Sequence, residues 1–130
     1  MHPQRFGARA EYRQQEAQRV KDSASLAEKF RKLKSLRVDL VYQHTDNSAL
    51  TSQVKFTVNL QNAKSVFRFD CPNSECVRGD FDLTKVIAAA VAARRKTVSG
   101  ELTCPGWRSR TTINSVRCGN VLHYKLSLTY

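Results

Sequence analysis

Four cysteines, Cys71, Cys76, Cys104 and Cys118, lie in the C-terminal half of this chain, and there is no fifth. Cys71 and Cys76 form a C-x4-C pair, while Cys71, Cys104 and Cys118 are each followed by a proline or glycine. Pro72-Asn73, Pro105-Gly106 and Gly119-Asn120 are turn formers, so each loop can fold back and aim backbone N–H groups at a sulfur. Four thiols with none left over match the donor set of one tetrahedral ion. Zinc is the ion expected, because it has no directional preference and takes four thiolates at about 2.3 Å. A sphere closed by four thiolates organises a fold and leaves no position at which water or substrate can be activated. The other uses of four cysteines are two disulfides, an iron–sulfur site or simple buried thiols. Rubredoxin-like iron normally takes two C-x2-C turns, whereas here 27 residues separate Cys76 from Cys104.

Compartment bears on that choice. The N-terminal Met1-His2-Pro3-Gln4-Arg5 is polar and has no apolar run behind it, so no signal peptide is expected. No apolar run approaches the roughly 18 residues of a membrane span. A cytoplasmic setting keeps thiols reduced and argues against disulfides.

Charge points to a class of partner. Lysine and arginine number 22 against 11 acids, a net charge of +11. Ten basic and four acidic residues stand in the first 37, twelve and seven in the rest, so the excess is spread over the whole chain. Such a balance favours polyanions: nucleic acid or a nucleoprotein complex first, with RNA slightly ahead of DNA, and an acidic protein partner or an anionic membrane surface next.

Along the chain, residues 1–24 are polar with scattered apolar positions, which reads as a basic flexible arm or a loosely formed helix. Ser25-Leu26-Ala27-Glu28 matches a capping box, and Leu26, Phe30 and Leu33 continue at helical spacing, predicting a basic helix of about three turns. Leu36, Val38, Leu40 and Tyr42 then alternate with polar residues, as do Val54, Phe56, Val58 and Leu60, giving two strands around a turn at His44-Thr45-Asp46-Asn47-Ser48. Phe67 and Phe69 begin a third strand that runs into Cys71. Leu83, Val86, Ile87, Ala90 and Val91 mark a helix, with Asp80 or Asp82 at its start and Arg94-Arg95-Lys96 at its end. Val98–Thr103 and Val121–Tyr130 supply two more strands.

The predicted fold is therefore α+β: an antiparallel sheet of about five strands, one covering helix and a four-cysteine zinc site at the sheet edge. Residues 25–130 make up that zinc-stabilised domain, behind the arm of residues 1–24. A meander of neighbouring strands would carry Cys71, Cys104 and Cys118 to one edge, where Cys76 joins them.

No catalytic residues are expected. Glu75, Asp80 or His123 would enter an active site only if one cysteine were not a ligand, and His44 and His123 read as exposed turn and strand residues. Phosphate loops, dinucleotide fingerprints and nucleophile elbows are absent from the sequence. The candidate binding surface is the loop of residues 105–117, which is free of acids and carries Trp107, Arg108, Arg110 and Arg117, together with Arg5, Arg9 and Arg13 of the arm. Tryptophan can stack on an unpaired base while arginines take phosphates, and it can equally pack over the cysteine loops. A second basic platform is expected on the open sheet face, formed by Arg37, Lys55, Arg68 and Lys125. The function these features predict is non-enzymatic binding to nucleic acid or a nucleoprotein complex. A zinc-stabilised adaptor for an acidic protein is the alternative.

Overall fold

A computed structural model of the chain describes residues 3–43, 51–72, 76–109 and 115–130. The turn read at residues 44–48 lies outside the described residues, as do Asn73 and Glu75. In chain order the elements are α1 (Pro3–Asp22), α2 (Leu26–Lys29), β1 (Ser35–Gln43), β2 (Thr51–Thr57), β3 (Arg68–Asp70), β4 (Cys76–Val77), β5 (Asp80–Asp82), α3 (Thr84–Ala92), β6 (Thr97–Thr103), β7 (Trp107–Ser109), β8 (Ser115–Arg117) and β9 (Val121–Thr129). The fold is α+β with antiparallel pairing throughout and short helices beside the long α1. None of the described helices is long and apolar enough to cross a membrane.

The strongest period-two alternation builds the main sheet, whose strand order is β2-β1-β9-β6. Leu36, Val38 and Leu40 of β1 stand opposite Leu128, Leu126 and Tyr124 of β9, so both strands turn their apolar sides to one face. That face joins Leu83, Ile87 and Ala90 of α3 in a single core. At Gly100 the Tyr124 ring fills the space a side chain would need, since an added Cβ would stand 2.6 Å from the Tyr124 hydroxyl. Asp82 starts α3 by accepting the Thr84 N–H at 2.9 Å.

Three expectations need correction. The sheet is not a meander: β9, the last strand, lies between β1 and β6. Leu122, Leu126 and Leu128 explain why, because a strand buried along one whole side gains most from a central place. The third strand, β3, leaves that sheet and pairs with β5. A turn at Asn59, whose side-chain oxygen accepts the Gln61 N–H at 3.1 Å, carries the chain away first. The helix after Ser25 lasts one turn, not three. Ser25 does cap it, accepting the Glu28 N–H at 3.1 Å. Its first free N–H groups go to Ala63 and Leu60 carbonyls, and Lys34 already donates to Thr129 at the end of β9. Tertiary pairing thus overrides local helix preference.

Candidate metal centre

Each cysteine sits where an element ends or begins. Cys71 follows β3, Cys76 opens β4, Cys104 follows β6, and Cys118 lies between β8 and β9. Thr103 at the end of β6 pairs with Val121 at the start of β9, which brings the flanking Cys104 and Cys118 to one end of the main sheet. There a small sheet, β4-β7-β8, holds the remaining loops: Val77 stands opposite Trp107, and Trp107 opposite Arg117. Backbone bonds stitch the loops pairwise. Cys71 N–H donates to Gly79 O at 3.1 Å, Cys104 N–H to Asn120 O at 2.8 Å, and Cys118 N–H to Gly106 O at 3.0 Å. The convergence foreseen at a sheet edge is therefore reached by another route, through the end of the sheet and this small second one.

The four sulfurs are buried and lie within 4.8 Å of one another. Cys71 and Cys118 sulfurs are 3.6 Å apart, Cys76 and Cys104 sulfurs 3.5 Å. A disulfide would need about 2.05 Å, so none of the four sulfurs is in a disulfide. A tetrahedron of thiolates around an ion at about 2.3 Å has edges of about 3.8 Å, and the cluster fits that size. Among the described residues it is the sole group of cysteines, histidines and acids gathered closely enough to hold a metal.

Hydrogen-bond donors reach three of the sulfurs. Backbone N–H groups of Gly106 and Asn120 bond the Cys104 and Cys118 sulfurs, and the buried Asn120 amide stands 3.7 Å from Cys71 Sγ. Hydrogen bonds from Cys104, Cys71 and Cys76 hold the Cys118 thiol well below the usual thiol range. Bonds to neighbouring cysteines push Cys76 and Cys104 above it. A cation bound by the four sulfurs would displace the protons of the thiols, so binding would release protons. Two glycines make room for the sulfurs. A Cβ at Gly79 would lie against Cys76 Sγ and 2.8 Å from Cys104 Sγ, and one at Gly106 would stand 2.5 Å from Cys76 Sγ. Gly119, at φ 67°, turns the backbone after Cys118 as a side chain rarely allows.

Beside the cluster lies a buried charge network that the sequence reading misplaced. Arg68 is not on the open sheet face. It belongs to β3, and its side chain is only 6% exposed. The guanidinium donates to Asp80 at 3.0 Å and to Asp70 at 2.8 Å, with Glu16 of α1 at 3.9 Å. Burial works against its charge, but Asp80 and Asp70 outweigh it and raise the Arg68 pKa above the ordinary arginine value. The Tyr12 ring takes both Arg68 and Arg78 at 5.9 Å, and burial, then Asp80 and Glu16, push its hydroxyl far above the usual tyrosine range. Arg19 bridges Glu16 at 2.7 Å and Asp82 at 3.1 Å. The signal in the sequence was the alternation Arg68-x-Asp70 and Asp80-x-Asp82 on either side of the first two cysteines.

Trp107 lies in β7 and is 39% exposed. Arg13 is on α1, 3.8 Å from Asp70. Arg110 lies outside the described residues, as do the side chains of Arg5, Arg9, Arg108 and Arg117, whose backbones belong to α1, β7 and β8. Asp80 is bound to Arg68 rather than aimed at the sulfurs, and His123 is exposed, 3.2 Å from Gln43 and 3.5 Å from Glu101. The open sheet face is not a purely basic platform. Asp39 and Glu101 share it with Arg37, Lys55 and Lys125, and Lys55 stands 3.7 Å from Asp39. Comparison of the chain with protein families, curated proteins and solved structures gives no significant match.

Proposed function

We propose that this protein is a zinc-stabilised, non-enzymatic domain that binds nucleic acid or a nucleoprotein complex, RNA ahead of DNA, in the cytoplasm. The observation that carries the reading is the buried set of four sulfurs within 4.8 Å, in a chain of net charge +11. Four thiolates complete a zinc sphere and leave no site for water, which favours a structural ion. The charge supplies attraction to phosphates. Trp107 adds a half-exposed aromatic surface for stacking, with Arg108, Arg110 and Arg117 on the same loop and Arg5, Arg9 and Arg13 on α1. Supporting this grouping, α1 packs beside β4, and β4 pairs with the strand that carries Trp107.

Titration of the zinc-loaded protein with single-stranded and duplex oligonucleotides at two salt concentrations tests the reading. Binding that weakens steeply with salt is expected. Trp107→Ala should weaken single-stranded binding by about 1–3 kcal/mol and leave duplex binding nearly unchanged. Absence of binding to every oligonucleotide would give preference to the adaptor for an acidic protein.

A further inference from the structure

The cysteine cluster occupies one end of the main sheet, and the other end brings together two basic segments that are far apart in the chain. Strand β1 begins at Ser35 opposite Thr129, and β6 begins at Thr97 opposite Ser127. The residues just before them, Lys34 and Lys96, therefore flank the end of β9. Backbone bonds fix both: Lys34 N–H donates to Thr129 O at 2.8 Å, and Leu128 N–H to Lys96 O at 2.8 Å. The Tyr130 hydroxyl donates to Arg95 O at 2.9 Å, and Arg94 lies close enough to act on its charge. Adjacent strands are about 4.8 Å apart, so the two segments stand about 10 Å from each other across β9.

Six exposed cations result: Arg31, Lys32, Lys34, Arg94, Arg95 and Lys96. None forms an ion pair with a described residue, whereas Arg13, Arg19 and Arg68 at the metal end all do. Glu28 is the one acid in residues 26–34, and residues 90–97 have none. A helix C-terminus carries about half a negative charge, which three cations after α3 far exceed. Arg94 is held at φ 51°, a left-handed turn that ends α3 and sets the segment beside β9.

We infer that this basic end of the sheet is a sequence-independent docking surface for the nucleic-acid backbone, separate from the Trp107 loop. Duplex DNA presents one charge per about 1.7 Å of its axis, so a cluster this wide meets several phosphates at once. Its aromatic side chains, Phe30 and Tyr130, are half-buried and the Tyr130 hydroxyl is held by Arg95 O, so the surface positions the strand and reads no base. The inference rests on the nucleic-acid reading above and assigns that partner a second surface.

The test uses three zinc-loaded triple variants in duplex and single-stranded titrations: Arg31→Gln with Lys32→Gln and Lys34→Gln; Arg94→Gln with Arg95→Gln and Lys96→Gln; and Arg37→Gln with Lys55→Gln and Lys125→Gln on the open sheet face. All three remove the same charge. Either of the first two should weaken binding about tenfold or more, uniformly across sequences, and flatten the log–log salt slope by about 2 to 3. The open-face variant should change affinity only about twofold. If one basic-end variant fails to fold, the other decides. Wild-type binding that the basic-end variants weaken no more than the open-face variant does would overturn the inference and leave the nucleic-acid reading standing. A wild type that binds nothing would overturn both.

Discussion

Strands β1 and β9 pair over nine residues and bury Leu36, Val38, Leu40, Leu122, Leu126 and Leu128, whereas β3, β4, β5, β7 and β8 around the cysteines are two or three residues long. The first region is held by a long run of paired, buried leucines and valine. The second buries Phe81 and Val77, and its short strands are joined besides by the convergence of four sulfurs and a buried arginine network. Charge is arranged differently too. Beside the cysteines Arg13, Arg19 and Arg68 are engaged by Asp70, Asp80, Asp82 and Glu16, while at the far end of the sheet the cations face solvent with no ion-pair partner among the described residues. One sheet therefore separates an end that carries the four-cysteine cluster and ion-paired arginines from an end whose exposed cations have no ion-pair partner among the described residues.

Removing the metal should break this comparison most visibly. Under the zinc proposal, metal binding and order in the cysteine loops are coupled, so a chelator or Cys76→Ser should cost about 5 kcal/mol or more. Amide exchange would rise first in β4 and β7 and last in the β1–β9 pair. Simultaneous exchange everywhere would show that the two regions are one cooperative unit. Leu126→Ala acts on the other side of the comparison. Leu126 is fully buried, and its truncation should lower stability by about 3 kcal/mol in denaturant titration while the zinc content of the folded protein stays the same.

Smaller effects sharpen the picture at the charge network. Asp80→Asn leaves Arg68 with Asp70 and Glu16 only, and should cost about 2 kcal/mol, read as a lower urea midpoint. Acid should weaken the same end more gently. Burial tends to raise the Asp82 pKa, but bonds from Thr84 and Arg19 outweigh it and hold the carboxylate below the ordinary aspartate value. A depressed carboxylate contributes stability above its unfolded pKa and loses it as pH falls through the folded one. Thermal stability should therefore start to drop below about pH 4 in wild type, and less so in Asp82→Asn, which is already weaker at neutral pH. An equal pH dependence in both would remove Asp82 from the account.

What could be read from the sequence follows from how local each signal is. The thiols Cys71, Cys76, Cys104 and Cys118 announce their common fate by number alone, and the alternations of β1, β6 and β9 and the stripe of α3 lie within single segments. The Ser25 cap was legible for the same reason, its oxygen and the Glu28 N–H being three residues apart. Strand order was not, because β1 and β9 join residues as distant as Ser35 and Thr129, and nothing between them encodes that pairing. Arg68 reads as a solvated strand residue until Glu16, Asp70 and Asp80 are brought around it from three elements. Asn120 and Gly79 gain their roles only once the sulfurs have met.

Metal analysis of the protein, prepared without added metal and paired with a thiol titration of the folded state, tests the central claim most directly. The account predicts one zinc per chain and four thiols that react only after the metal is chelated. A folded protein with a stoichiometry near zero and four freely reactive thiols would contradict it.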